Sequence, residues 1–188
     1  SRVMEADEVR KAARRDGRTV HFARIAELCM QKNAELDDNN PLKKYKGRAV
    51  LLGDNIRDED FNWATFQELG SSPPAMEAGK FLDMLSCLPG QMVKSSDAIG
   101  AYTQSYIDGA KPATMPDPKK PPSSWVALPE NRWPSSWRSR YKAPVVPLVL
   151  ALYGHPIAGT RWEKDCEARV AKLGWHKVAE EWNSVFWN

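Results

Sequence analysis

Apolar residues recur along this chain in helical and extended rhythms, and the rhythm changes at a few polar or Pro/Gly breaks. Val9, Ala12 and Ala13 fall on one helical face, and Phe22, Ile25, Ala26 and Cys29 keep three- and four-residue spacing. Two helices are therefore predicted in the first forty residues, separated at Gly17. Polar residues crowd positions 37–40 before Pro41, which marks a loop. Lys43, Lys44, Lys46 and Arg48 then lead into the apolar run Ala49-Val50-Leu51-Leu52, the pattern of a buried strand with cations at its mouth. Ser71-Ser72-Pro73-Pro74 sets a capping serine ahead of a proline at the first helical position, and Ala78, Phe81, Leu82, Leu85 and Leu88 follow on one face until Pro89-Gly90.

A short extended run ends at Asp97, after which Ile99, Tyr102 and Tyr106 return to helical spacing. A turn of helix is predicted directly after that carboxylate, which could hold a metal above a sheet or simply serve as an N-cap. Residues 145–153 read as a second apolar strand, with Pro147 where an edge or strand start allows it, and Gly154-His155-Pro156 as the turn that ends it. Trp162, Cys166, Val170 and Leu173 keep helical spacing as far as Gly174. Residues 183–188 read as a strand cut short. Helices and strands mix without strict alternation, which predicts an α+β fold with a small, mostly antiparallel sheet.

The length of 188 residues suits one domain, and 42% apolar residues supply a core. No window approaches the roughly 18 uncharged apolar residues of a membrane span, and the first residues lack the apolar core of a secretion signal. No membrane partner and an intracellular location, cytoplasmic or nuclear, are expected. Cys29, Cys87 and Cys166 are odd in number and far apart, so buried reduced thiols are expected rather than disulfides or a zinc site. His21, His155 and His176 show no metal-ligand spacing.

Charge is uneven: residues 110–145 carry seven basic residues against two acidic ones, whereas residues 61–109 carry two against five. A basic segment beside an acidic one suits a metal site next to a polyanion track, and ordinary surface charge gives the same pattern. Nine of the fourteen prolines lie between Gly109 and Pro147, among Trp125, Trp133 and Trp137, so this segment is expected to cross the surface in extended form.

Three blocks, in order, resemble the reverse transcriptase domain of copia-type retrotransposon polyproteins. Lys46-Gly47-Arg48-Ala49-Val50-Leu51 is similar to that family's Lys-Ala-Arg-Leu-Val-Ala strand. Asp97-Ala98-Ile99-Gly100-Ala101-Tyr102 is similar to its Asp-Val-Lys-Asn-Ala-Phe block. Leu152-Tyr153-Gly154 and, further on, Trp162 match its Leu-Tyr-Gly-Leu-Lys-Gln-Ala-Pro-Arg-x-Trp. The match spans roughly residues 40–188. It implies one partial polymerase domain: 1–40 as a helical lead-in, 41–109 as fingers and first palm block, 110–144 as a Pro/Trp-rich basic insertion, and 145–188 as a second palm block.

The resemblance implies roles. Asp97 would hold Mg²⁺, with the Ala98 carbonyl as a further ligand, in two-metal nucleotidyl transfer. Lys46 and Arg48 would bind the phosphates of the incoming deoxynucleoside triphosphate, and Tyr102 would lie under its sugar. Tyr153 and Gly154 would form the turn supporting the template base. Arg132, Arg138, Arg140 and Lys142 would contact an RNA or DNA template–primer. Two departures stand out. Ile157 replaces a glutamine that contacts the nucleotide, and the aromatic-x-Asp-Asp hairpin supplying the other carboxylates is not in these residues. The expectation is a fragment inactive alone, belonging to a polyprotein with downstream palm, connection and RNase H segments. The alternative is a degenerate or repurposed nucleic-acid-binding module without chemistry.

Overall fold

The computed structural model describes residues 3–67, 74–95, 97–109, 121–178, 182 and 184–188. Its elements, in chain order, begin with β1 (Met4–Glu5), α1 (Ala6–Arg15), β2 (His21–Lys32), β3 (Lys44–Leu51) and α2 (Met76–Ser86). They continue with β4 (Ser124–Ala127), α3 (Ser135–Arg138), β5 (Pro144–Pro147), α4 (Ala158–Lys172), β6 (His176–Lys177) and β7 (Phe186–Trp187). One five-stranded sheet runs in the order β1-β5-β4-β2-β3. Only β2 and β4 pair in parallel, and the other neighbours are antiparallel. The mixed α+β class and the mostly antiparallel sheet are therefore present.

The sheet is covered on both faces near its centre. Phe22 and Trp125, opposite each other in register, pack with Val9 and Ala13 of α1, Val20 and Val145. Ala23 and Val126, next along the same two strands, face the other way into a cluster with Leu51, Ile56, Ile107, Leu148, Ala151 and Ala158. This double burial explains why the stretch predicted as a second helix is the strand β2. At Phe22 and Ala23 the strand is buried on both faces and loses its two-residue alternation, and the three- and four-residue spacings that run on from them are coincidence. The first predicted helix is present as α1.

The basic Pro/Trp segment also departs from expectation where it is described. Ser124, Trp125 and Val126 are buried in a central strand rather than extended over the surface. Four residues between Pro122 and Pro129 suffice for this strand, whereas residues 110–120 lie outside the described set. Strand β5 is shorter than predicted and lies inside the sheet, with Pro144 and Pro147 at its two ends, where a missing N–H is best tolerated. Beyond it the chain runs beside residues 105–107, through Ile107 N–H to Val149 O (3.0 Å) and Ala151 N–H to Ser105 O (2.8 Å).

The predicted strand and helix around Asp97 are absent. Residues 91–95 have no regular structure, Ser96 lies outside the described set, and only a single 3-10 turn, Tyr102–Gln104, follows. Gly100 takes a positive φ of 61° that interrupts helical geometry, and Ile99 is 90% exposed, so the apolar spacing there faces no core.

Helix α2 forms as predicted but buries only Ala78, while Phe81 and Leu88 remain exposed. Its predicted capping signal at Ser71–Pro73 lies outside the described residues. Strand β3 is exposed along most of its length, not buried, and only Leu51 is covered. Helix α4 forms as predicted and ends at Lys172, with Leu173 as its C-cap and Gly174 following at φ 85°. Strand β7 pairs with β6 in a separate two-stranded ribbon instead of extending the main sheet. Cys29 and Cys87 are exposed and Cys166 is half-buried, so the expected burial of the thiols is not found, and none is in a disulfide. No described helix is long and apolar enough to cross a membrane.

Candidate functional site

Strands β2 and β3 form a long hairpin whose register pairs Leu28 with Arg48, Met30 with Lys46, and Lys32 with Lys44. Alternation along β3 puts Lys44, Lys46 and Arg48 on one face, with Lys32 directly across from Lys44. Among the described residues none of these four cations has an ion pair or side-chain hydrogen bond, whereas neighbouring Lys43 is paired with Asp38 at 2.6 Å. Like charges directly opposite on a sheet destabilise it, so this face is suited to a polyanion that neutralises it.

At the base of the hairpin lies a pocket of about 390 Å³, lined by Lys46 and Arg48 from β3, Gly100 and Thr103 from the loop around the 3-10 turn, and Leu152 and Tyr153. Tyr102 packs against Tyr153, with ring centroids 4.6 Å apart and the rings tilted by 42°. The loop is held locally by Thr103 Oγ1 donating to Gly100 O (2.8 Å) and Gln104 Nε2 donating to Ile99 O (2.8 Å). Arg169 on α4 clamps it from outside, donating to Gln104 Oε1 (2.7 Å) and Gln104 O (3.1 Å). The wall carrying Tyr153 is joined to β3 by Leu51 N–H to Tyr153 O at 2.7 Å. Gly154, at φ 91°, brings its backbone against that of Leu51.

Of the residues singled out from the sequence, Lys46, Arg48 and Tyr153 line this pocket, Tyr102 backs it, and Gly154 shapes its wall. Ile157 packs against the apolar core cluster and does not line the pocket. Ala98 is half-buried and Asp97 exposed, and neither lines it. Gly100 and Thr103 carried no role in the sequence reading. Their proximity in the chain to Tyr102 was the available signal.

The basic residues after β4 are partly neutralised. Arg132 pairs with Glu27 (2.7 Å), and Arg138 with Glu130 (3.5 Å) and its carbonyl (3.0 Å). The Glu27 carboxylate bonded to Arg132 raises its pKa. The Arg140 guanidinium lies 5.9 Å from the ring of Tyr141, and Lys142 is exposed.

A second, unpredicted group lies behind Tyr153. Ser123 Oγ donates to Asp108, Ser124 Oγ is 3.4 Å from His155 Nε2, and Ile157 N–H donates to His155 Nδ1 (3.3 Å). Because Nδ1 accepts, Nε2 carries the proton and donates to Ser124. Asp108 bonds serine rather than the imidazole, so the set lacks the order of a catalytic triad. It fastens the start of β4 to the turn after Tyr153. Burial foremost, then the charges of His21 and Arg161, lower the His155 pKa from 6.5 to about 4.

The neutral ring is therefore favoured by folding. Above pH 6.5 neither state carries the proton and the contribution is complete; as pH falls from 6.5 towards 4 the unfolded chain takes up a proton that the folded chain refuses. Stability is expected to drop over that window by up to about 3 kcal/mol from this residue. Urea titrations at pH 7 and pH 4.5 on the parent and His155→Gln measure it. A pH dependence equal in both proteins would remove His155 as its source.

The resemblance implies magnesium, which takes hard oxygen donors in near-octahedral geometry. Asp97 offers one exposed carboxylate, and among the described residues no group of three or more His, Cys, Asp or Glu is placed to hold a metal. These donors alone do not fit a two-metal centre, and no step through magnesium is derived. Comparisons with protein families, with curated proteins and with solved structures find no match for this chain.

Proposed function

We propose that this chain is the fingers and part of the palm of a copia-type reverse transcriptase, an RNA-directed DNA polymerase. The observation that supports it most is the pocket at the base of the β2–β3 hairpin. Three segments far apart in the chain, the same three that resemble the family's blocks, meet there, with two cations and Tyr153 on its wall and Tyr102 packed against Tyr153. Lys46 and Arg48 donate charge-assisted hydrogen bonds to the triphosphate of a deoxynucleotide. The Tyr153 ring, held by Tyr102, supplies the apolar surface for its sugar and base. The cation face of the hairpin and the segment holding Arg132, Arg138, Arg140 and Lys142 carry the template–primer.

Binding of template–primer is expected to be electrostatic and therefore salt-dependent. Each phosphate neutralised contributes ~0.7 to the log–log slope on single strands and ~0.9 on duplex. Arg138→Ala with Arg140→Ala is expected to flatten the slope, with the smaller share from Arg138, which already has Glu130. An unchanged slope removes this segment from the track.

Residues 1–188 alone are expected not to extend a primer, because only Asp97 is offered towards the ions and in-line geometry depends on a fixed constellation. A primer-extension assay with Mg²⁺ or Mn²⁺ and all four deoxynucleotides tests this. Extension that Asp97→Asn abolishes would show that no further carboxylates are needed and that the site is misassigned.

The second reading is a non-catalytic nucleic-acid-binding module. Ile157 standing where the family has a glutamine favours it, since an isoleucine makes no hydrogen bond to a nucleotide. The reading frame beyond Asn188 separates the two. An encoded aromatic-x-Asp-Asp within a few tens of residues supports the polymerase, and a stop codon supports the module.

A further inference from the structure

A second cavity, of about 240 Å³, lies beside α1 and shares no lining residue with the pocket at Lys46 and Arg48. Its floor is apolar, with Phe22, Ala127 and Val145, and its polar walls are Arg10, Arg24, Asn55 and Arg57, with Trp133 alongside. No carboxylate lines it.

Three of these side chains are already fixed. The nearly buried Arg10 guanidinium is sandwiched between the rings of Phe22 and Phe61, 3.9 Å from each, and donates to Asp58 O. Arg57 lies 3.3 Å over the Trp63 ring and donates to Phe61 O (3.3 Å). Trp133 Nε1 donates to Leu128 O (3.0 Å), which sets the angle of the indole. Two others are unspent: among the described residues, neither Arg24 nor Asn55 makes a side-chain hydrogen bond or ion pair. The cavity thus combines a fixed aromatic wall, planar guanidiniums, one amide able to donate and accept, and one uncommitted cation.

That combination selects a ligand with matching parts. A planar ring stacks on the Trp133 indole, a ring edge with both donors and acceptors pairs with Asn55, and a single anionic group meets Arg24. We propose that this cavity binds one nucleotide unit, a base with its phosphate, at a site separate from the triphosphate pocket. At about 240 Å³ the cavity lies just below the usual range of ligand pockets, so it takes no more than one such unit. A free mononucleotide and the phosphorylated end of a single strand share this chemistry.

Calorimetric titration of the 188-residue chain with adenosine 5′-monophosphate, adenosine and inorganic phosphate tests the proposal. Saturable binding of the monophosphate is expected, with adenosine roughly tenfold or more weaker, because it lacks the charge-assisted contact to Arg24. Arg24→Ala, at an exposed position whose side chain makes no hydrogen bond or ion pair among the described residues, is expected to bring the monophosphate to the level of adenosine. Lys46→Ala with Arg48→Ala is expected to leave unchanged the binding event that Arg24→Ala removes, so this site can fail without the triphosphate pocket failing, and the reverse. A 5′-phosphorylated hexanucleotide that displaces the monophosphate identifies a strand end as the occupant, and one that does not assigns the free nucleotide. No saturable binding, or binding that Lys46 and Arg48 control and Arg24 does not, overturns the proposal.

Discussion

Gly154→Ala is expected to cost about 3–5 kcal/mol of stability, enough to unfold a marginally stable chain. Two penalties add at this position. Gly154 sits at φ 91°, where L side chains are strained, and a Cβ there would run into the carbonyl oxygen of Leu51, with the Leu51 carbonyl carbon at 3.0 Å and its nitrogen at 3.2 Å. These are backbone atoms at the end of β3, tied to Tyr153 O by the 2.7 Å hydrogen bond from Leu51 N–H, so they cannot swing away as a side-chain tip would. The neighbouring loop closes the same gap from the other side: a Cβ on Gly53 would meet the Gly154 carbonyl oxygen, its carbon 3.2 Å away. The two glycines therefore set how closely β3 approaches the wall carrying Tyr153, and hence the width of the pocket. Thermal melts should show Gly154→Ala lowered by roughly 10 °C, or failing to fold. Gly47→Ala, with nothing within 4 Å of its added methyl, should melt like the parent. A Gly154→Ala protein as stable as Gly47→Ala would mean that the two backbones do not meet as described.

The second large effect concerns binding. Lys46→Ala combined with Arg48→Ala is expected to weaken deoxynucleoside triphosphate affinity by about a hundredfold, since two charge-assisted hydrogen bonds to phosphate are lost together. Folding should be unaffected, because neither side chain has a hydrogen-bond or ion-pair partner among the described residues. Removing Lys32 and Lys44 instead leaves the pocket walls in place and should act on polynucleotide alone, by lowering its salt slope. Titration of both double variants with deoxyadenosine triphosphate and with a single strand separates these roles. Equal losses for both ligands in both variants would reduce the hairpin to a diffuse positive patch.

What the sequence showed and what it hid divide along physical lines. Helices α1 and α4 were legible because each carries a repeating apolar stripe, buried at Val9 and Ala13 in α1 and half-buried at Trp162, Cys166 and Val170 in α4, and Gly174 marked the end of α4. The extent of β2 was hidden, since Phe22 and Ala23 are both buried and the period of two vanishes. Strand β4 was hidden too: its prolines and tryptophans signalled an irregular segment, while the core takes only the few residues between them. Around Asp97 the spacing of Ile99 and Tyr102 implied a helix, but Ile99 points into water and only a 3-10 turn forms. For the pocket, the residue types and blocks were readable, and Lys46, Arg48 and Tyr153 do converge. Gly100, Thr103 and the Ser124–His155 group could not be read, because their placement depends on contacts between segments distant in the chain.

The claim at the centre is that a deoxynucleotide sits between β3, the loop at Gly100 and Thr103, and Tyr153. Photo-crosslinking with an azido-deoxyadenosine triphosphate, followed by peptide mapping, tests it most directly. Labelling is expected in peptides containing residues 44–51, 98–106 or 152–157, displaced by unlabelled deoxyadenosine triphosphate and lost in the Lys46→Ala, Arg48→Ala variant. Displaceable labelling confined to other peptides, or labelling indifferent to that variant, would contradict it.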